Sequence, residues 1–209
     1  MKDRLRPKAG FPLRRRIDRR IGILGGSFNP AHEGHRHISV LALKAISLDE
    51  VWWLVSPGNP LKDPSKLAPL TSRVEAAIKV SAHPRIRIKT FEADRHLTYT
   101  VDTIDALQSA FPATGFVWLM GADNLMSFHH WERWHAIARS IPIAIFSRPG
   151  YGTKVLRSRF AQYYQRYRVE PSDAPLLPAA RAPIWTYLPG RTVDLSSTRI
   201  RQMLPNVRE

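Results

Sequence analysis

The chain has 209 residues, of which 44% are apolar and 23% charged, and it contains no cysteine. This composition indicates a folded globular protein and excludes a disordered chain, a disulfide scaffold, a zinc site built on cysteine, and thiol catalysis. The 32 lysine and arginine residues against 17 acidic residues give a formal net charge of +15, which favours anionic ligands, either nucleic acid or phosphorylated small molecules.

The first 20 residues carry nine basic and two acidic side chains, a net +7 of the total +15. No apolar core follows this basic start, as a secretory signal would require, and no run near either end reaches the roughly 20 apolar residues of a membrane-spanning helix. We therefore expect a basic, flexible N-terminal extension over residues 1–20, a single folded domain over residues 21–209, and a cytoplasmic location.

The first predicted elements are a strand, a glycine loop and a helix. The apolar run at 21–24 ends in two glycines, which is typical of a buried parallel strand that stops at a tight loop. Residues 35–45 then carry apolar side chains at helical spacing. Many nucleotide-binding folds begin with this order of elements. The glycine amides and the helix N-terminus can then face the same anion.

The same alternation continues along the chain. Apolar patterns predict helices at 72–82 and 100–111 and strands at 51–55, 85–89, 116–120, 141–146 and 184–187. Trp52 and Trp53 are assigned to the sheet core or its edge, and the proline-rich segment 171–183 is interpreted as an irregular surface excursion. Alternating strands and helices predict an α/β fold, a Rossmann-like, doubly wound parallel sheet with helices on both faces. Ligands of such a single domain bind beyond the carboxyl ends of the strands.

The loop between the first strand and the first helix is rich in chemically useful residues, Gly25-Gly26-Ser27-Phe28-Asn29-Pro30-Ala31-His32-Glu33-Gly34-His35. Glycines let backbone amides approach a phosphate, and two histidines three residues apart lie near one face of the first helical turn. No Lys-Ser/Thr pair follows the glycines and their spacing departs from GxGxxG, so neither a Walker loop nor a dinucleotide fingerprint is present. A surface helix terminus is the alternative, and the histidine pair lacks a third ligand for zinc.

A second motif lies near the carboxyl end, Leu195-Ser196-Ser197-Thr198-Arg199-Ile200-Arg201. Serine and threonine at the start of a helix cap free amides and offer hydroxyl donors, and Arg201 one turn later presents a guanidinium to phosphate oxygens. An ordinary N-capped terminal helix is the alternative interpretation.

The two motifs resemble the GxFxPxHxGH and ISSTxIR signatures of the nucleotidyltransferase superfamily, with leucine in place of the first isoleucine. Over residues 21–204 the chain resembles the bacterial nicotinate-nucleotide adenylyltransferases, whose middle blocks it carries in the expected order: Pro57-Gly58-Asn59-Pro60-Leu61-Lys62, Tyr99-Thr100-Val101-Asp102-Thr103, Gly121-Ala122-Asp123-Asn124, Trp131 and Ser147-Arg148-Pro149-Gly150. Two features depart from that family. Asn29 stands where many relatives have aspartate, which argues against an essential carboxylate there, and residues 59–62 replace a longer proline-rich loop that carries a histidine.

The resemblance implies adenylyl transfer from ATP to nicotinate mononucleotide with release of pyrophosphate. The residues it implies for ATP are Gly26, Ser27, Phe28, His32, His35, Ser197, Thr198 and Arg201. Among them His32 and His35 are the catalytic pair, which donates hydrogen bonds to the α- and β-phosphates. The resemblance also implies Mg²⁺, bound mainly through ATP phosphates and water, with no protein ligand for the metal.

For nicotinate mononucleotide, the resemblance implies contacts from Asn59, Lys62, Thr100, Asp123, Trp131 and Arg148. Trp131 would stack on the ring, Thr100 and neighbouring amides would bind the ring carboxylate, and Asp123 would bind ribose. Each assignment has a plainer alternative, since a tryptophan is often a core residue, a threonine a helix cap, and an arginine at a strand end a solvated charge. The histidines at 37, 129 and 130 are interpreted as surface residues.

Two other functions stay open from the sequence. A pantetheine-phosphate adenylyltransferase of the same superfamily would resemble this chain mainly at the two terminal motifs. A basic nucleic-acid-binding protein would need aromatic and arginine residues interleaved on one surface, and the chain offers only its N-terminal extension. The sequence also leaves open the choice between the acid and amide forms of the mononucleotide and the formation of a homo-oligomer, and it predicts no membrane partner.

Overall fold

A computed structural model describes residues 12, 16–58, 65, 67–190 and 197 of the chain. Its strands are β1 (Arg19–Gly26), β2 (Glu50–Val55), β3 (Ile86–Lys89), β4 (Thr114–Gly121), β5 (Ile143–Phe146), β6 (Arg168–Val169) and β7 (Trp185–Leu188). They form one sheet in the order β3-β2-β1-β4-β5-β7-β6, in which every neighbouring pair is parallel. The predicted doubly wound parallel sheet is confirmed.

The α-helices of the described residues pack on both faces of this sheet. They are α1 (Glu33–Ala45), α2 (Leu70–Ser81), α3 (Phe91–Asp94), α4 (Thr100–Ala110), α5 (Ala122–Ser127), α6 (Trp134–Ser140) and α7 (Arg159–Tyr163). Buried side chains of α1 and α2 belong to one apolar core, and those of α4, α6 and α7 belong to a second core. Two covered faces explain the nearly continuous apolar strands, because a parallel sheet of this kind has no solvent face.

The neighbouring tryptophans of β2 show how one strand serves both cores. Trp52 lies edge-on to Phe116 in one core, with ring centroids 5.9 Å apart, while Trp53 stacks on Phe28 in the other at 5.0 Å. Successive side chains of a strand point to opposite faces, so the pair cannot share a core. The prediction that both belong to the sheet is confirmed.

The strand order places a topological switch point between β1 and β4. The chain moves from β1 outward to β2 and β3, returns to β4, and then continues outward in the other direction. Loops that leave the carboxyl ends of β1 and β4 therefore diverge and leave a crevice between them, which is where open α/β sheets bind ligands.

Residues 171–183 are more ordered than the sequence indicated. Pro171–Ala179 forms a 3₁₀ helix, and Ala174, Leu177 and Pro178 are buried. The interpretation of this segment as an irregular surface excursion is wrong, because apolar residues between the prolines pack into the core that contains α1. The short helices α3, α5, α6 and α7 were also missed, since elements of four to seven residues show too little periodicity.

The sheet begins two residues earlier than predicted. Arg20 lies in β1, where its backbone amide and its guanidinium both donate to the Asp49 carboxylate, at 2.7 and 3.1 Å. Just before the strand, the Asp18 amide donates to the Ala113 carbonyl. The last residues of the basic extension are thus attached to the sheet, and earlier in the extension the Pro12 carbonyl accepts a hydrogen bond from the Arg181 amide. No helix within the described ranges is both long enough and apolar enough to cross a membrane.

Candidate active site

Two histidines form a reciprocal cap at the start of α1. His32 is the N-cap, and its Nδ1 accepts a hydrogen bond from the Gly34 amide at 3.1 Å. The His35 Nδ1 accepts from the His32 amide at 3.2 Å, and the two ring centroids are 3.9 Å apart. Because both Nδ1 atoms accept, the proton of each neutral imidazole lies on Nε2. Each ring can therefore donate from Nε2 without giving up its capping bond.

His32 stays neutral at physiological pH. It is 5% exposed, and burial lowers its pKa from 6.5 to about 4, with a further lowering from the positive charge of Arg148 and an opposing effect of Asp123. A neutral ring at this position suits hydrogen bonding, because its donor does not depend on protonation above about pH 5.

Arg148 and Asp123 bring a charged pair to the same helix terminus. Arg148 follows β5 and Asp123 lies in the first turn of α5, and the Arg148 Nε lies 3.5 Å from the Asp123 Oδ1. A Cβ on Gly34 would lie 2.8 Å from the His32 ring and 2.9 Å from the Arg148 Nη1. Glycine at position 34 thus allows the guanidinium to lie beside the histidine cap.

The loop that joins β1 to α1 is held from two sides. Phe28 adopts a positive φ of 46°, and its ring is buried between Trp53 and His35, with centroids 5.0 and 4.7 Å away. Two residues later the Pro30 carbonyl accepts a hydrogen bond of 2.9 Å from the Ser197 hydroxyl. This bond joins the two sequence motifs, which are separated by more than 160 residues along the chain.

A cavity of about 330 Å³ opens on the other side of the glycine loop. Its wall consists of Gly25, Gly26, Ser27, Ser56, Gly58, Glu92, Thr98, Tyr99, Thr100, Trp118, Asn124, His130, Trp131 and Glu132. These residues come from β1, β4 and the segments that follow β1 and β2, from the N-terminus of α4, and from α3, α5 and residues 130–132, so the cavity occupies the crevice that the sheet topology predicts.

Two tryptophans at right angles shape this cavity. The rings of Trp118 and Trp131 are 6.3 Å apart with an interplanar angle of 90°. A Cβ on Gly25 would lie 2.7 Å from the Trp118 ring, so this position needs glycine for the ring to pack. The Trp118 Nε1 is buried without a hydrogen-bond partner among the described residues. A buried N–H without an acceptor costs free energy, so a polar ligand atom or a water in the cavity that accepts from the Trp118 Nε1 is favourable.

The loop with Trp131 is tied to the helix that carries Thr100. The Arg133 guanidinium donates to the Asp102 carboxylate in the first turn of α4 at 2.6 Å. Thr100 is the first residue of α4, and no side chain caps that helix at Tyr99. An aromatic face and the free amides of a helix start thus line the same cavity.

The chain matches the family model of cytidylyltransferase-like proteins over residues 23–203. It is 44% identical to a protein of Mesorhizobium japonicum over 88% of this chain and 94% of that protein, and 50% identical to a protein of Bradyrhizobium sp. strain ORS 278 over 87% and 95%. Both relatives carry the description "Probable nicotinate-nucleotide adenylyltransferase". The chain belongs to the nicotinate-nucleotide adenylyltransferase family.

The fold of this adenylyltransferase is also found in solved structures of low sequence identity to it. Two solved structures of Plasmodium falciparum nicotinic acid mononucleotide adenylyltransferase, complexed with APC and with NaAD, match it with TM-scores of 0.66 and 0.68. Each match covers 91% of this chain and 86% of the other at 16% identity, so the likeness concerns the fold.

The structure divides the predicted site residues of the adenylyltransferase between two adjacent regions. Gly26, Ser27, Thr100 and Trp131 line the cavity. The others that the structure describes lie around the loop and helix start: Phe28, His32, His35, Asp123, Arg148 and Ser197. Asn59, Lys62, Thr198 and Arg201 lie outside the described residues. All of these assignments stay predictions, although the structure brings the described ones to one edge of the sheet.

Asp123 and Arg148 do not belong to the cavity wall among the described residues, whereas the neighbour Asn124 does. The pair lies beside His32 instead, on the side of the histidine cap. His130, interpreted as a surface residue, is exposed but also lines the cavity. Asp123 and Asn124 are neighbours just after β4, yet only Asn124 lines the cavity. The order of the motifs in the sequence does not show this difference.

Sequence reasoning missed an arginine behind the glycine loop. Arg73 is 3% exposed, and its guanidinium donates to four backbone carbonyls, those of Ser27, Ser56, Pro57 and Ala68, at 2.7 to 3.3 Å. Burial lowers its pKa, and no ion pair of the described residues involves it. A signal existed, because position 73 falls on the core-facing stripe of α2 together with Ala77.

A second missed residue is a buried acid in the cavity wall. Glu92 on α3 is 8% exposed, and its Oε1 accepts a hydrogen bond from the Thr103 hydroxyl at 3.1 Å. Burial raises its pKa from 4.5 to about 7, against a lowering effect of that hydrogen bond. The four-residue helix α3 left no pattern by which the sequence could have marked this residue as buried.

The described residues contain no group of three or more histidine, cysteine, aspartate or glutamate side chains arranged to hold a metal ion.

Proposed function

We propose that this adenylyltransferase transfers the adenylyl group of ATP to nicotinate mononucleotide and releases nicotinate adenine dinucleotide and pyrophosphate. The observation that carries the proposal is the position of the Trp131 cavity, which shares Gly26 and Ser27 with the loop that leads to the histidine cap. One ligand with a flat ring and another with a triphosphate can therefore meet at the glycine loop. Because both proposed substrates, ATP and nicotinate mononucleotide, are found in the cytoplasm, we also propose a cytoplasmic location for the enzyme.

For ATP, we propose that the amides of Gly26, Ser27 and Phe28 bind phosphate and that His32 and His35 donate from Nε2 to the α- and β-phosphates. Ser197, Thr198 and Arg201 hold the β,γ end. The contact between Ser197 and Pro30 supports this grouping, because it brings the second motif to the loop of the first. Neutral imidazoles fixed by their caps need no reorganisation during the reaction.

The proposed reaction needs no protein nucleophile. A 5′-phosphate oxygen of the mononucleotide forms a bond to the α-phosphorus of ATP, the bond from that phosphorus to the α,β-bridging oxygen breaks, and pyrophosphate leaves with the electron pair. The attacking oxygen is already anionic, so catalysis consists of holding two polyanions together and stabilising the charge that moves to the bridging oxygen. Mg²⁺ enters with ATP and supplies further charge neutralisation, mostly through phosphate and water ligands.

For nicotinate mononucleotide, we propose that Trp131 stacks on the pyridine ring and that Thr100 and the first amides of α4 bind its carboxylate. The helix start favours an anion at this point. Asp123 binds the ribose, and Arg148, next to His32, binds the 5′-phosphate of the acceptor. Asn59 and Lys62 complete the site from the loop after β2.

The test is a pyrophosphate-release assay with ATP and three acceptors offered in parallel: nicotinate mononucleotide, nicotinamide mononucleotide and phosphopantetheine. We expect the highest kcat/KM with nicotinate mononucleotide. Turnover of phosphopantetheine alone would favour the pantetheine-phosphate alternative and overturn this proposal.

Replacing Trp131 by alanine is expected to raise KM for nicotinate mononucleotide by about 5- to 100-fold, since stacking on an aromatic side chain contributes about 1–3 kcal/mol per base. KM for ATP should change little, because Trp131 lies in the cavity and not at the histidine cap. Steady-state kinetics with each substrate varied in turn measure both constants. Trp131→Phe keeps an aromatic face and should restore most of the affinity, and equal KM values in the alanine variant and the wild type would contradict the stacking role.

We further propose that residues 21–209 form the catalytic domain and that residues 1–10 of the basic extension are dispensable for catalysis. Deletion of residues 1–10 leaves the attached positions before β1 in place, and we expect unchanged kcat and KM in the pyrophosphate assay. If the alternative of nucleic-acid binding through the extension holds, the same deletion removes four of its nine basic side chains and weakens binding to a DNA duplex in a mobility assay. A tenfold loss of kcat/KM would show instead that the extension serves the active site.

A further inference from the structure

We propose that Glu92 is a specificity-determining residue of the nicotinate mononucleotide site, whose neutral carboxyl group donates a hydrogen bond to the carboxylate on the pyridine ring. This inference rests on the proposed function and addresses the choice between the acid and amide forms of the mononucleotide.

The position of Glu92 allows one carboxyl oxygen to face a ligand. It lines the same cavity as Thr100 and Trp131, and its Oε1 is occupied by the Thr103 hydroxyl at 3.1 Å. The Thr103 hydroxyl also lies 3.2 Å from the Tyr99 carbonyl, so Glu92 is anchored at the first turn of α4. Its second oxygen has no partner among the described residues. Glu92 and the proposed carboxylate site at Thr100 therefore adjoin at one helix start.

Burial brings the titration of Glu92 close to pH 7, where its neutral and ionised forms are both populated. The side chain is buried, and burial raises its pKa to about 7. The nearby cations have other partners: Arg133 pairs with Asp102, Arg95 lies 4.0 Å from the Phe91 ring, and Lys89 lies 5.5 Å from the Trp52 ring. On the same helix Asp94 accepts from Thr90, and across the cavity His130 and Glu132 line the wall.

The protonation state of Glu92 determines whether it favours a carboxylate or a carboxamide on the pyridine ring. A neutral carboxyl group offers an O–H donor, which matches the anionic carboxylate of nicotinate. An ionised Glu92 would repel that carboxylate and would accept a hydrogen bond from the N–H₂ of a carboxamide. As the pH rises through about 7, the site should lose preference for the acid and gain preference for the amide.

The experiment compares kcat/KM for nicotinate and nicotinamide mononucleotide between pH 6 and 9. Both acceptors carry the same 5′-phosphate and use the same ATP, so titrations common to the two reactions cancel in the ratio. In the wild type we expect the acid-to-amide ratio to fall about tenfold between pH 7.5 and 8.5, because the ratio of neutral to ionised carboxyl falls about tenfold with each pH unit.

The variant Glu92→Gln tests whether Glu92 is the group whose titration changes the ratio. A carboxamide keeps an acceptor for Thr103 and an N–H donor for the substrate but does not ionise, so its acid-to-amide ratio should be flat with pH. Asp105→Asn removes a similar charge from the exposed side of α4 and should keep the wild-type fall. Where turnover of the amide is below detection, kcat/KM for the acid in the wild type divided by that in Glu92→Gln gives the same comparison.

A flat ratio in the wild type, or an equal fall in Glu92→Gln, would overturn the role of Glu92. Failure of the proposed function looks different, because the wild type would then release no pyrophosphate with nicotinate mononucleotide at any pH. Turnover of that substrate with a pH-independent ratio therefore rejects only the inference about Glu92.

Discussion

Replacing His35 by alanine is expected to lower kcat by about 100- to 1000-fold, the usual effect of removing one pre-organised donor to a developing charge. The His35 Nδ1 accepts from the His32 amide, which leaves Nε2 as the donor to phosphate. The alanine variant loses this donor and also half of the reciprocal cap, so it does not separate catalysis from helix stability.

Two variants, each of which replaces only one of the two ring nitrogens, separate the effect on catalysis from the effect on helix stability. In His35→Asn the side-chain oxygen can replace Nδ1 as the acceptor for the His32 amide, while nothing replaces the Nε2 donor. In His35→Gln the side-chain amide reaches toward the Nε2 position and supplies an N–H. We expect the asparagine variant to unfold at the wild-type urea midpoint with low kcat, and the glutamine variant to recover part of kcat.

His37→Ala, a half-buried position on the same helix, is the matched control and should keep kcat within about twofold of the wild type, because His37 belongs to neither the histidine cap nor the cavity wall. Pyrophosphate release under saturating ATP and acceptor measures kcat for all variants. Near-normal kcat in His35→Asn would remove His35 from the catalytic residues and leave it as a helix cap.

Replacing Arg73 by alanine is expected to destabilise the fold by about 2–4 kcal/mol and to impair catalysis, because buried carbonyls lose their donor and each unsatisfied group costs about 1–3 kcal/mol. Three of its acceptors, Ser27, Ser56 and Pro57, follow the carboxyl ends of β1 and β2. The guanidinium therefore holds the glycine loop after β1 against the loop after β2. Urea unfolding measures the stability, and the pyrophosphate assay measures kcat and both KM values.

The lysine variant separates charge from hydrogen-bond geometry at this position. Arg73→Lys keeps the positive charge near the phosphates, but an ammonium cannot span the acceptors that the planar guanidinium reaches. We expect intermediate stability and a raised KM for ATP. Arg85→Ala, which loses a single hydrogen bond to the Leu48 carbonyl from an exposed side chain, is the control and should stay close to the wild type. Unchanged stability in Arg73→Ala would refute this account of the loop.

The order of strands and helices could be predicted because each long element carries its own pattern. The apolar run of β2 and the helical spacing in α1 identify these elements locally, without knowledge of their neighbours. The glycine-histidine loop is equally local, since its function depends on backbone amides and on two side chains within one helical turn.

The limits of sequence reasoning lie where partners are distant along the chain. Burial in the cavity wall raises the pKa of Glu92 and the Thr103 hydroxyl anchors its carboxyl group, whereas in an exposed helix the same residue would be an ordinary surface charge. Arg73 likewise acquires its role from carbonyls that belong to three other segments.

The sequence by itself determined the alternating architecture, the family and the position of the glycine-histidine loop, because these depend on periodicity and on short motifs. Only the tertiary structure decided that Arg148 lies beside the histidine cap rather than in the ring cavity, and that an acid shares that cavity with Trp131. The physical reason is that burial, and with it protonation and hydrogen-bond partnership, is set by packing between segments far apart in the chain.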